Sequence, residues 1–358
     1  MPAMRIVHTA DVHLRSDRDE RWSALAAAID AATTAGAQVL AIAGDLFDRD
    51  IDAPALKTSL RRSLERFPGT VIVIPGNHDT GGIRTGDFFG ANVRVLAGRD
   101  VIADVDGVRF IGVPFEDVGI DGTLARLRAA SRQRIDGTNV LLYHGELLDV
   151  APGGGAFGDE DDREYMPARL ADLGDLGFDY VLAGHFHKNH DVRACGAGYF
   201  VYSGSPVSIT RRETGRRHVT VIDTGSAPIA HGLDTHHYTD VDIRFSPGDT
   251  EHPLARIERE LAGLPAGAGA LVVIRGYVDL ARVGMNEVDF QAALKETCAR
   301  FPCEAVDTNA CNDVGAILAG DLFRRFDARL AGSALNEDDR ALVRDMTIRA
   351  LIEVPDAR

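Results

Sequence analysis

The segment TVIVIPGNHD, residues 70–79, places a short apolar run directly before a Pro-Gly turn and three polar side chains. The β-branched residues predict a buried strand, and the Pro-Gly pair predicts that this strand ends there. An amide, an imidazole and a carboxylate follow, on Asn77, His78 and Asp79. Because such groups bind metal ions or transfer protons, the segment predicts a functional site at the end of a buried strand.

The same arrangement recurs along the first half of the chain. The segments MRIVHTAD, AQVLAIAGD, NVLLYHG and FDYVLAGHFH also end an apolar run at Gly, Asp or His. Helical patterns separate these runs; over residues 19–35, for example, Trp22, Leu25 and Ile29 are spaced for one apolar helix face. Alternating strands and helices predict an α/β domain.

From residue 100 the pattern changes to hairpins. An Asp-Gly turn at Asp106 and Gly107 separates two apolar strands, and YFVYSGSP and RRHVTVIDT predict further strands of a second, antiparallel sheet. We therefore expect an α/β fold over residues 1–240, a two-sheet β-sandwich flanked by helices in four layers. A smaller α/β domain is expected over residues 241–358. Its predicted helices cover residues 254–261, 287–299, 313–330 and 337–352, and its predicted strand is ALVVIRGYV.

Composition limits the classes of function. The chain has 358 residues, 45% hydrophobic and 26% charged, and no apolar run long enough for a membrane helix. Its four cysteines form no CxxC pair, and its first residues contain no apolar signal core. We expect a cytoplasmic protein with free thiols. The 39 Lys and Arg against 54 Asp and Glu give a net charge of −15, which weighs against a free-standing nucleic-acid binder.

Each of the five predicted strands ends in candidate ligands. In an α/β fold the carboxyl ends of the strands form the site, so these side chains are expected to converge. A single Asp-x-His or Gly-His-x-His is usually turn chemistry, but five such strand ends in one chain indicate a site. In chain order the groups are Asp11 and His13; Asp45, followed by Asp48; Asn77, His78 and Asp79; His144; and His185 and His187.

The chemistry of these ligands predicts two divalent metal ions. Mixed imidazole, carboxylate and amide oxygen ligands suit manganese, iron or zinc, whereas calcium takes nearly all oxygen. The ligands are too many for one tetrahedral ion. With one shared carboxylate they suit two ions about 3.5–4 Å apart, an arrangement that catalyses displacement at phosphorus.

The motifs DVH, GDLFD, GNHD, HGE and GHFH, in that order, resemble the five motifs of the calcineurin-like metallophosphoesterases. The resemblance spans roughly residues 5–206. It implies that His78 donates a proton or contacts the phosphate, and that Asp79 holds His78. It also implies two metal sets bridged by Asp45: Asp11, His13, Asp45 and His187 for one ion, and Asp45, Asn77, His144 and His185 for the other.

Three details are similar to the SbcD-type DNA repair exonucleases, the nuclease subunits of SbcC–SbcD complexes. These are HTADVHL, AGDLFD, and GHFHKNH followed by YSGSP. The resemblance implies a manganese-dependent 3′ to 5′ exonuclease, with or without endonuclease activity, in DNA double-strand-break repair. It implies DNA and a separate SbcC-like ATPase as partners, a homodimer through the helices after Pro54, and a capping domain over residues 241–358 that helps select DNA. The chain has no GxxxxGK[ST] phosphate loop, so ATP hydrolysis would need the separate subunit.

Several residues are candidates for support or substrate contact. Asp48 stands where some members of that branch have His, and it either assists His78 or braces the loop. Arg84 follows GNHD, and the run TRRETGRRH supplies Arg211 and Arg212, with Arg216 and Arg217 behind them. A solvated hairpin turn is the alternative interpretation of this run.

Two other functions remain open. The five motifs report metal and phosphate only, so a phosphodiesterase or phosphatase acting on a small nucleotide or other phosphoester is the main alternative. A non-catalytic scaffold with this fold is the second, although such proteins usually lack ligands that are all present here.

Overall fold

The computed structural model describes residues 3–149, 164–188, 190–246 and 249–353. The chain forms two compact units, Met1–Tyr238 and Thr239–Arg358. In the first unit the strands are β1 (Arg5–Thr9), β2 (Val39–Ala43), β3 (Thr70–Ile74), β4 (Val93–Val95), β5 (Ile102–Val105), β6 (Val108–Val113), β7 (Asn139–His144), β8 (Tyr180–Gly184), β9 (Asp191–Cys195), β10 (Gly198–Tyr202), β11 (His218–Asp223) and β12 (Ile229–Gly232). The helices are α1 (Glu20–Thr34), α2 (Ala53–Leu64), α3 (Ile120–Ser131) and α4 (Leu170–Gly174), with a 3₁₀ turn at Asp50–Asp52.

These strands form two six-stranded sheets. The first has the order β12-β11-β1-β2-β3-β4, and the second has the order β5-β6-β7-β8-β10-β9. Strands β1 to β4 run parallel in the first sheet, and β6, β7, β8 and β10 run parallel in the second. The carboxyl ends of the parallel strands therefore lie at one edge of each sheet.

Apolar side chains hold four layers together. Between the sheets, Ile6 and Ile72 of the first sheet pack in one cluster with Phe110 and Leu142 of the second. Helices α1 and α2 cover the outer face of the first sheet, and α3 and α4 cover the outer face of the second. The predicted two-sheet α/β fold flanked by helices is confirmed.

Local signals in the sequence set several boundaries. Asp19 caps α1, because its side chain accepts a hydrogen bond from the backbone N–H of Trp22 at 3.2 Å. Asp106 and Gly107 have φ of 45° and 84° and join β5 to β6 in the predicted two-residue hairpin.

The predicted second, antiparallel sheet is wrong in detail. The segment RRHVTVIDT forms β11, which pairs antiparallel with β1 in the first sheet. The segment YFVYSGSP contributes β10, which pairs parallel with β8, so the second sheet is mixed. Alternation explains the placement of β11, since Val219 packs under the helices and Ile222 packs between the sheets.

The second unit is a smaller α/β assembly. Its strands are β13 (His237–Phe245), β14 (Ala268–Val278) and β15 (Cys303–Asp313), in the order β13-β14-β15. Its helices are α5 (Pro253–Ala262), α6 (Glu287–Cys298), α7 (Gly315–Ala319), α8 (Asp321–Ala331) and α9 (Glu337–Glu353), with a 3₁₀ turn at Ala281–Val283. Helices α5 and α6 pack with one face of the sheet in a single apolar cluster.

Two expectations for this unit are corrected. Residues 303–313 form an edge strand that the sequence did not indicate, because the segment CEAVDTNACND is largely polar. The helix predicted over residues 313–330 is two helices, since Gly320 is extended, with φ of −68° and ψ of 145°. Among the residues described, none of the helices combines the length and apolar character needed to cross a lipid bilayer.

Because the side chains between the sheets are buried, truncating one of them should lower the stability of the first unit. Leu142→Ala removes a fully buried side chain and should destabilise the first unit by about 2–5 kcal/mol. Trp22, the only tryptophan, belongs to this unit, so its fluorescence in a urea titration follows the unit's unfolding. Ile229→Ala, at a largely exposed position, is the control and should change stability by less than about 0.5 kcal/mol. Equal midpoints for the two variants would contradict the assignment of Leu142 to the core.

Candidate metal centre

All seven predicted metal ligands lie at or beyond the carboxyl ends of five strands. Strands β1, β2 and β3 are parallel neighbours in the first sheet, and β7 and β8 are parallel neighbours in the second. The two sheets pack against each other, so the loops that follow these strands meet. The ligands are Asp11 and His13 after β1, Asp45 after β2, Asn77 after β3, His144 at the end of β7, and His185 and His187 after β8.

One group contains Asp11, His13, Asp45 and His187. Each offers one ligand atom, and these atoms all lie within 4.8 Å of one another. Nε2 of His13 is 3.1 Å from Nε2 of His187 and 3.6 Å from Oδ2 of Asp45. All four side chains are buried. Buried imidazole nitrogens and carboxylate oxygens that point at one another form a suitable site for a cation.

The remaining ligands lie beside this group. Nε2 of His144 is 2.9 Å from Oδ1 of Asn77 and 3.4 Å from Oδ2 of Asp45. The ring centroids of His144 and His185 are 5.7 Å apart, and the backbone N–H of His185 donates to Oδ1 of Asp11 at 2.9 Å. Oδ2 of Asp45 therefore faces both groups, the position that a bridging carboxylate requires.

The donor atoms fit two divalent ions. Oδ2 of Asp11 and Oδ2 of Asp45 are buried and accept no hydrogen bond from any residue in the described part of the chain. Burying a charged oxygen without a partner is costly, and a cation would remove this cost. Imidazole, carboxylate and amide oxygen together are the ligand set of manganese, iron and zinc.

The ionisable groups shift each other's proton affinity. Burial raises the pKa of Asp11 to about 6. Burial opposes ionisation of Asp45, but the imidazoles of His144 and His13 outweigh it and hold the pKa of Asp45 well below its usual range. Burial likewise opposes protonation of His144, and the carboxylates of Asp45 and Asp11 raise its pKa to about 10. Protons and metal ions therefore compete for the same atoms.

The backbone at the centre is strained. Four predicted ligands have φ in the left-handed region: Asp11 at 55°, His13 at 53°, Asp45 at 50° and His185 at 108°. This conformation is unfavourable for residues other than glycine and is typical of functional sites. Hydrogen bonds between the loops maintain it, since the N–H of Asp11 donates to Gly44 O at 3.1 Å and the N–H of His13 donates to Asp45 O at 2.9 Å.

Close approach explains the glycine before three of the ligands. A Cβ atom on Gly44 would lie 2.1 Å from Nδ1 of His144, and one on Gly76 would lie 2.1 Å from Oδ1 of Asp45. A Cβ atom on Gly184 would lie 2.1 Å from a carbonyl oxygen of β2. The GD, GN and GH pairs in the motifs are therefore a packing requirement of the centre.

His78 contacts the loop after β2 through its ring. Its Nδ1 is 3.0 Å from the carbonyl oxygen of Asp48. The buried carboxylate of Asp79 accepts hydrogen bonds from the N–H of Phe47 at 3.0 Å and of Gly76 at 2.7 Å. These bonds show that Asp79 braces the loops after β2 and β3, and its role in holding His78 stays a prediction.

Asp48 contacts His78 and also the loop after β1, and a part in assisting His78 stays a prediction. Its carbonyl oxygen contacts His78, and Oδ1 of its carboxylate lies 3.6 Å from Nδ1 of His13. The same Oδ1 accepts from Nη1 of Arg21 at 2.5 Å, and this nitrogen also donates to the carbonyl of His13 at 2.7 Å. Arg21 is a functional residue that the sequence analysis missed, because a charged residue on a helix normally faces solvent.

Glu213 is a second missed residue. It is fully buried, and its Oε1 is 3.3 Å from Nδ1 of His187. Its Oε2 accepts from the N–H of Ile209 at 2.7 Å. A carboxylate that holds the second nitrogen of a ligating histidine fixes its tautomer and orientation. The sequence offered only a weak signal, since Glu213 lies inside the run TRRETGRRH, whose arginines are its prominent feature.

The arginine candidates separate into surface and buried positions. Arg84, Arg211 and Arg212 are exposed and remain predictions for substrate contact. Arg216 pairs with Asp234 at 2.6 Å on the surface. Arg217 is only 2% exposed and donates to backbone carbonyls, which assigns it to holding loops rather than substrate. Its acceptors are the carbonyl oxygens of Ser205, Glu213, His187 and Lys188.

Several known proteins are similar to this chain. Residues 4–189 match the family described as calcineurin-like phosphoesterase. The uncharacterized metallophosphoesterase YhaO of Bacillus subtilis strain 168 is 23% identical over 257 residues, which are 65% of this chain and 60% of YhaO. The chain thus spans less than two thirds of that relative's length.

Solved structures with a similar fold include TT1561 of Thermus thermophilus and a dimetal phosphatase from Danio rerio. TT1561 has a TM-score of 0.45 and 16% identity, and the match covers 64% of this chain and 99% of TT1561. The Danio rerio phosphatase has a TM-score of 0.43 and 10% identity, and the match covers 65% of this chain and 96% of that protein.

Removing the carboxylate behind His187 should weaken metal binding. We expect Glu213→Ala to reduce manganese affinity by about 10–100-fold, and Glu213→Gln, which keeps an acceptor but loses the charge, to reduce it less. Isothermal titration calorimetry with manganese measures the effect. Glu65→Gln, in a surface ion pair with Arg61, is the control. Wild-type affinity in Glu213→Ala would show that Glu213 does not position His187.

Filling the space at Gly76 should displace the shared carboxylate. In Gly76→Ala the new Cβ would lie 2.1 Å from Oδ1 of Asp45, so one of them must move. A displacement of about 1 Å at a reacting centre costs about 100-fold in rate. Manganese-dependent hydrolysis of bis-nitrophenyl phosphate measures the loss. Gly119→Ala, at an open position, should retain wild-type rates, and equal rates in both variants would contradict the close approach.

Proposed function

The chain belongs to the calcineurin-like phosphoesterase family, and from that premise we propose that it is a manganese-dependent 3′ to 5′ exonuclease acting on DNA. Membership of the family makes the chain a hydrolase that acts on phosphoester bonds with the help of metal ions. One observation carries the proposal of phosphoester hydrolysis at this centre: two ligand groups converge on Oδ2 of Asp45, with the partly exposed imidazole of His78 beside them.

The choice of DNA rests on the segments similar to the SbcD-type nucleases. One of them, YSGSP, packs directly on the centre. Oγ of Ser205 donates to the carbonyl of Asp11 at 2.6 Å, and the N–H of Ser205 donates to the carbonyl of His187 at 2.9 Å. The similarity to that branch therefore involves residues that join the loops after β1 and β8. We further propose that the second unit takes part in DNA selection.

The residues of the centre would hold the metal ions in position and transfer a proton to the leaving group. When bound, two divalent cations would lower the pKa of water toward neutrality and offset negative charge on the phosphate oxygens. Asp11, His13, His185 and His187 are buried and hold fixed positions, whereas His78 is partly exposed and can reach a phosphate. The carbonyl of Asp48 accepts a hydrogen bond from Nδ1–H of His78, so Nε2 of the doubly protonated ring is the nitrogen that would protonate the leaving oxygen.

The acidic composition has to be reconciled with a DNA substrate. Residues 241–358 contain 14 Lys and Arg against 20 Asp and Glu, a charge of −6, which leaves −15 minus −6, or −9, for the remainder. We propose that Arg84, Arg211 and Arg212 supply local phosphate contacts. We also propose that a separate SbcC-like ATPase supplies further positive surface, and that the nuclease works as a homodimer.

The same acidity favours one alternative, a phosphodiesterase or phosphatase for a small nucleotide, because such a substrate needs fewer positive contacts than a duplex. The metal centre is compatible with both substrates. The two functions differ in whether DNA is cleaved at all.

Digestion of end-labelled double-stranded DNA with added manganese tests the proposal. Wild-type protein should release nucleotides from 3′ ends, and His78→Ala should cut at least about 100-fold more slowly, since proton transfer contributes that much. His78→Ala should still bind manganese, because His78 is not among the predicted ligands. His231→Ala, at an exposed position on β12, is the control.

The labelled strand ends distinguish the outcomes. Shortening from 5′ ends would overturn the proposed polarity. Intact DNA with continued hydrolysis of bis-nitrophenyl phosphate, both alone and with the ATPase subunit, would overturn the nuclease and establish the small-nucleotide alternative.

A further inference from the structure

The second unit contains a cavity of about 540 Å³ that the proposed nuclease chemistry does not use. Residues of β13, β14 and β15 line one side, and residues of α9 line the other. Ligand pockets of small molecules typically have volumes of about 300–1,000 Å³. The cavity therefore has room for one nucleotide, whereas a DNA duplex is too wide to enter it.

Strand alternation places arginines on the cavity side of the sheet. Ile243, Phe245 and Ile274 point into the apolar cluster of this unit. Their neighbours Arg244 and Arg275 point to the opposite face and line the cavity. Between these strands, Gly276 has φ of 96°, and a Cβ atom on it would lie 2.1 Å from Phe245 O, so the strands approach closely at the cavity floor.

Helix α9 adds two more arginines, Arg344 and Arg349. Nε of Arg349 donates to Oδ2 of Asp345 at 2.8 Å, and its guanidinium carbon is 5.8 Å from the ring centroid of Tyr277. Nε of Arg344 donates to Oδ1 of Asp327 at 2.7 Å. Four guanidinium groups from three elements thus surround a cavity that also has an aromatic wall.

The lining of this cavity carries a net positive charge although the second unit is acidic. Residues 241–358 carry −6 overall, yet four of their 14 basic residues line this cavity, together with one carboxylate, that of Asp345. Four positive charges and one negative charge give the lining +3. Asp242 and Asp327 pair with Arg275 and Arg344 from outside the lining, and counting them leaves +1.

A phosphate ligand can replace the carboxylate partners in these ion pairs. The side chains of Arg275 and Arg349 are 49% and 58% exposed, and exposed pairs contribute little to stability. Arg244 has no hydrogen bond or ion pair to its side chain within the described residues. Guanidinium groups bind phosphate oxygens through two parallel hydrogen bonds, so a ligand with several phosphates can compete with single carboxylates.

We propose that this cavity binds a nucleoside polyphosphate: Arg349 moves from the face of Tyr277 onto the phosphates, which Arg244, Arg275 and Arg344 also bind, and the base takes its place against the ring. Aromatic rings accept bases of any kind by stacking. The site goes beyond the proposed nuclease function and does not depend on it, since it lies wholly within the second unit. A phosphorylated DNA strand end offers the same phosphate chemistry and is the competing source of ligand.

Calorimetric titration of the full-length chain with ATP, in EDTA, tests the site. EDTA removes divalent ions, so the metal centre cannot hold the nucleotide through them. ATP should bind the wild type, and Arg244→Gln/Arg275→Gln should bind it at least tenfold more weakly. Arg300→Gln/Arg324→Gln is the matched control, since both arginines are exposed and pair with acidic residues elsewhere in the same unit. Circular dichroism verifies that both double variants are folded.

A comparison of ATP with a 5′-phosphorylated oligonucleotide distinguishes the two possible ligands. Binding of ATP that depends on Arg244 and Arg275 supports the proposal. Absence of binding to wild type, or equal affinity in all three proteins, overturns it. Tighter arginine-dependent binding of a 5′-phosphorylated oligonucleotide than of ATP also overturns it and assigns the cavity to a strand end. None of these results changes the outcome of DNA digestion, so the two proposals fail independently.

Discussion

The buried carboxylate of Asp45 is the constraint on which the centre depends. Its Oδ1 accepts the N–H of His78 at 2.9 Å, which anchors the loop after β3. Its Oδ2 faces His13 at 3.6 Å and His144 at 3.4 Å, on opposite sheets. Two sheets packed with their strand ends at a common edge place these imidazoles on either side of one oxygen. The apolar cluster between the sheets is therefore a requirement of the chemistry as well as the core of the fold.

The centre is built at a cost in backbone energy. Asp11, His13, Asp45 and His185 adopt a conformation that costs of order 1–3 kcal/mol per residue. All four residues are buried, so the structure around them can maintain this strain. Hydrogen bonds between neighbouring loops, such as His13 N–H to Asp45 O, tie the strained residues to the loops of other strands. The result is a set of ligand atoms held in place by the backbone and the packing around them, which is the basis of catalytic preorganisation.

The sequence predicted what depends on local chemistry. Strand ends such as TVIVIPGNHD carry both their termination signal and candidate ligands, so the parallel strands and the convergence of the seven predicted ligands followed from them. It missed what depends on tertiary placement. Glu213 is close to His187 only because the loops after β10 and β8 meet, and Arg21 is buried only because Asp48 faces it. The strand β15 was missed because pairing with β14, and not its own polar sequence, stabilises it.

Net charge is a poor guide to the surface that a ligand meets. Four of the acidic residues behind the value of −15 are fully buried, namely Asp11, Asp45, Asp79 and Glu213. Their fields are balanced inside the fold by imidazoles, backbone N–H groups and, in the proposed enzyme, cations. The outward field is therefore weaker than the count suggests. In the second unit the reverse holds, because an acidic sequence gathers four arginines around one cavity. Where charges are buried and where they cluster, rather than their sum, decides whether a phosphate can bind.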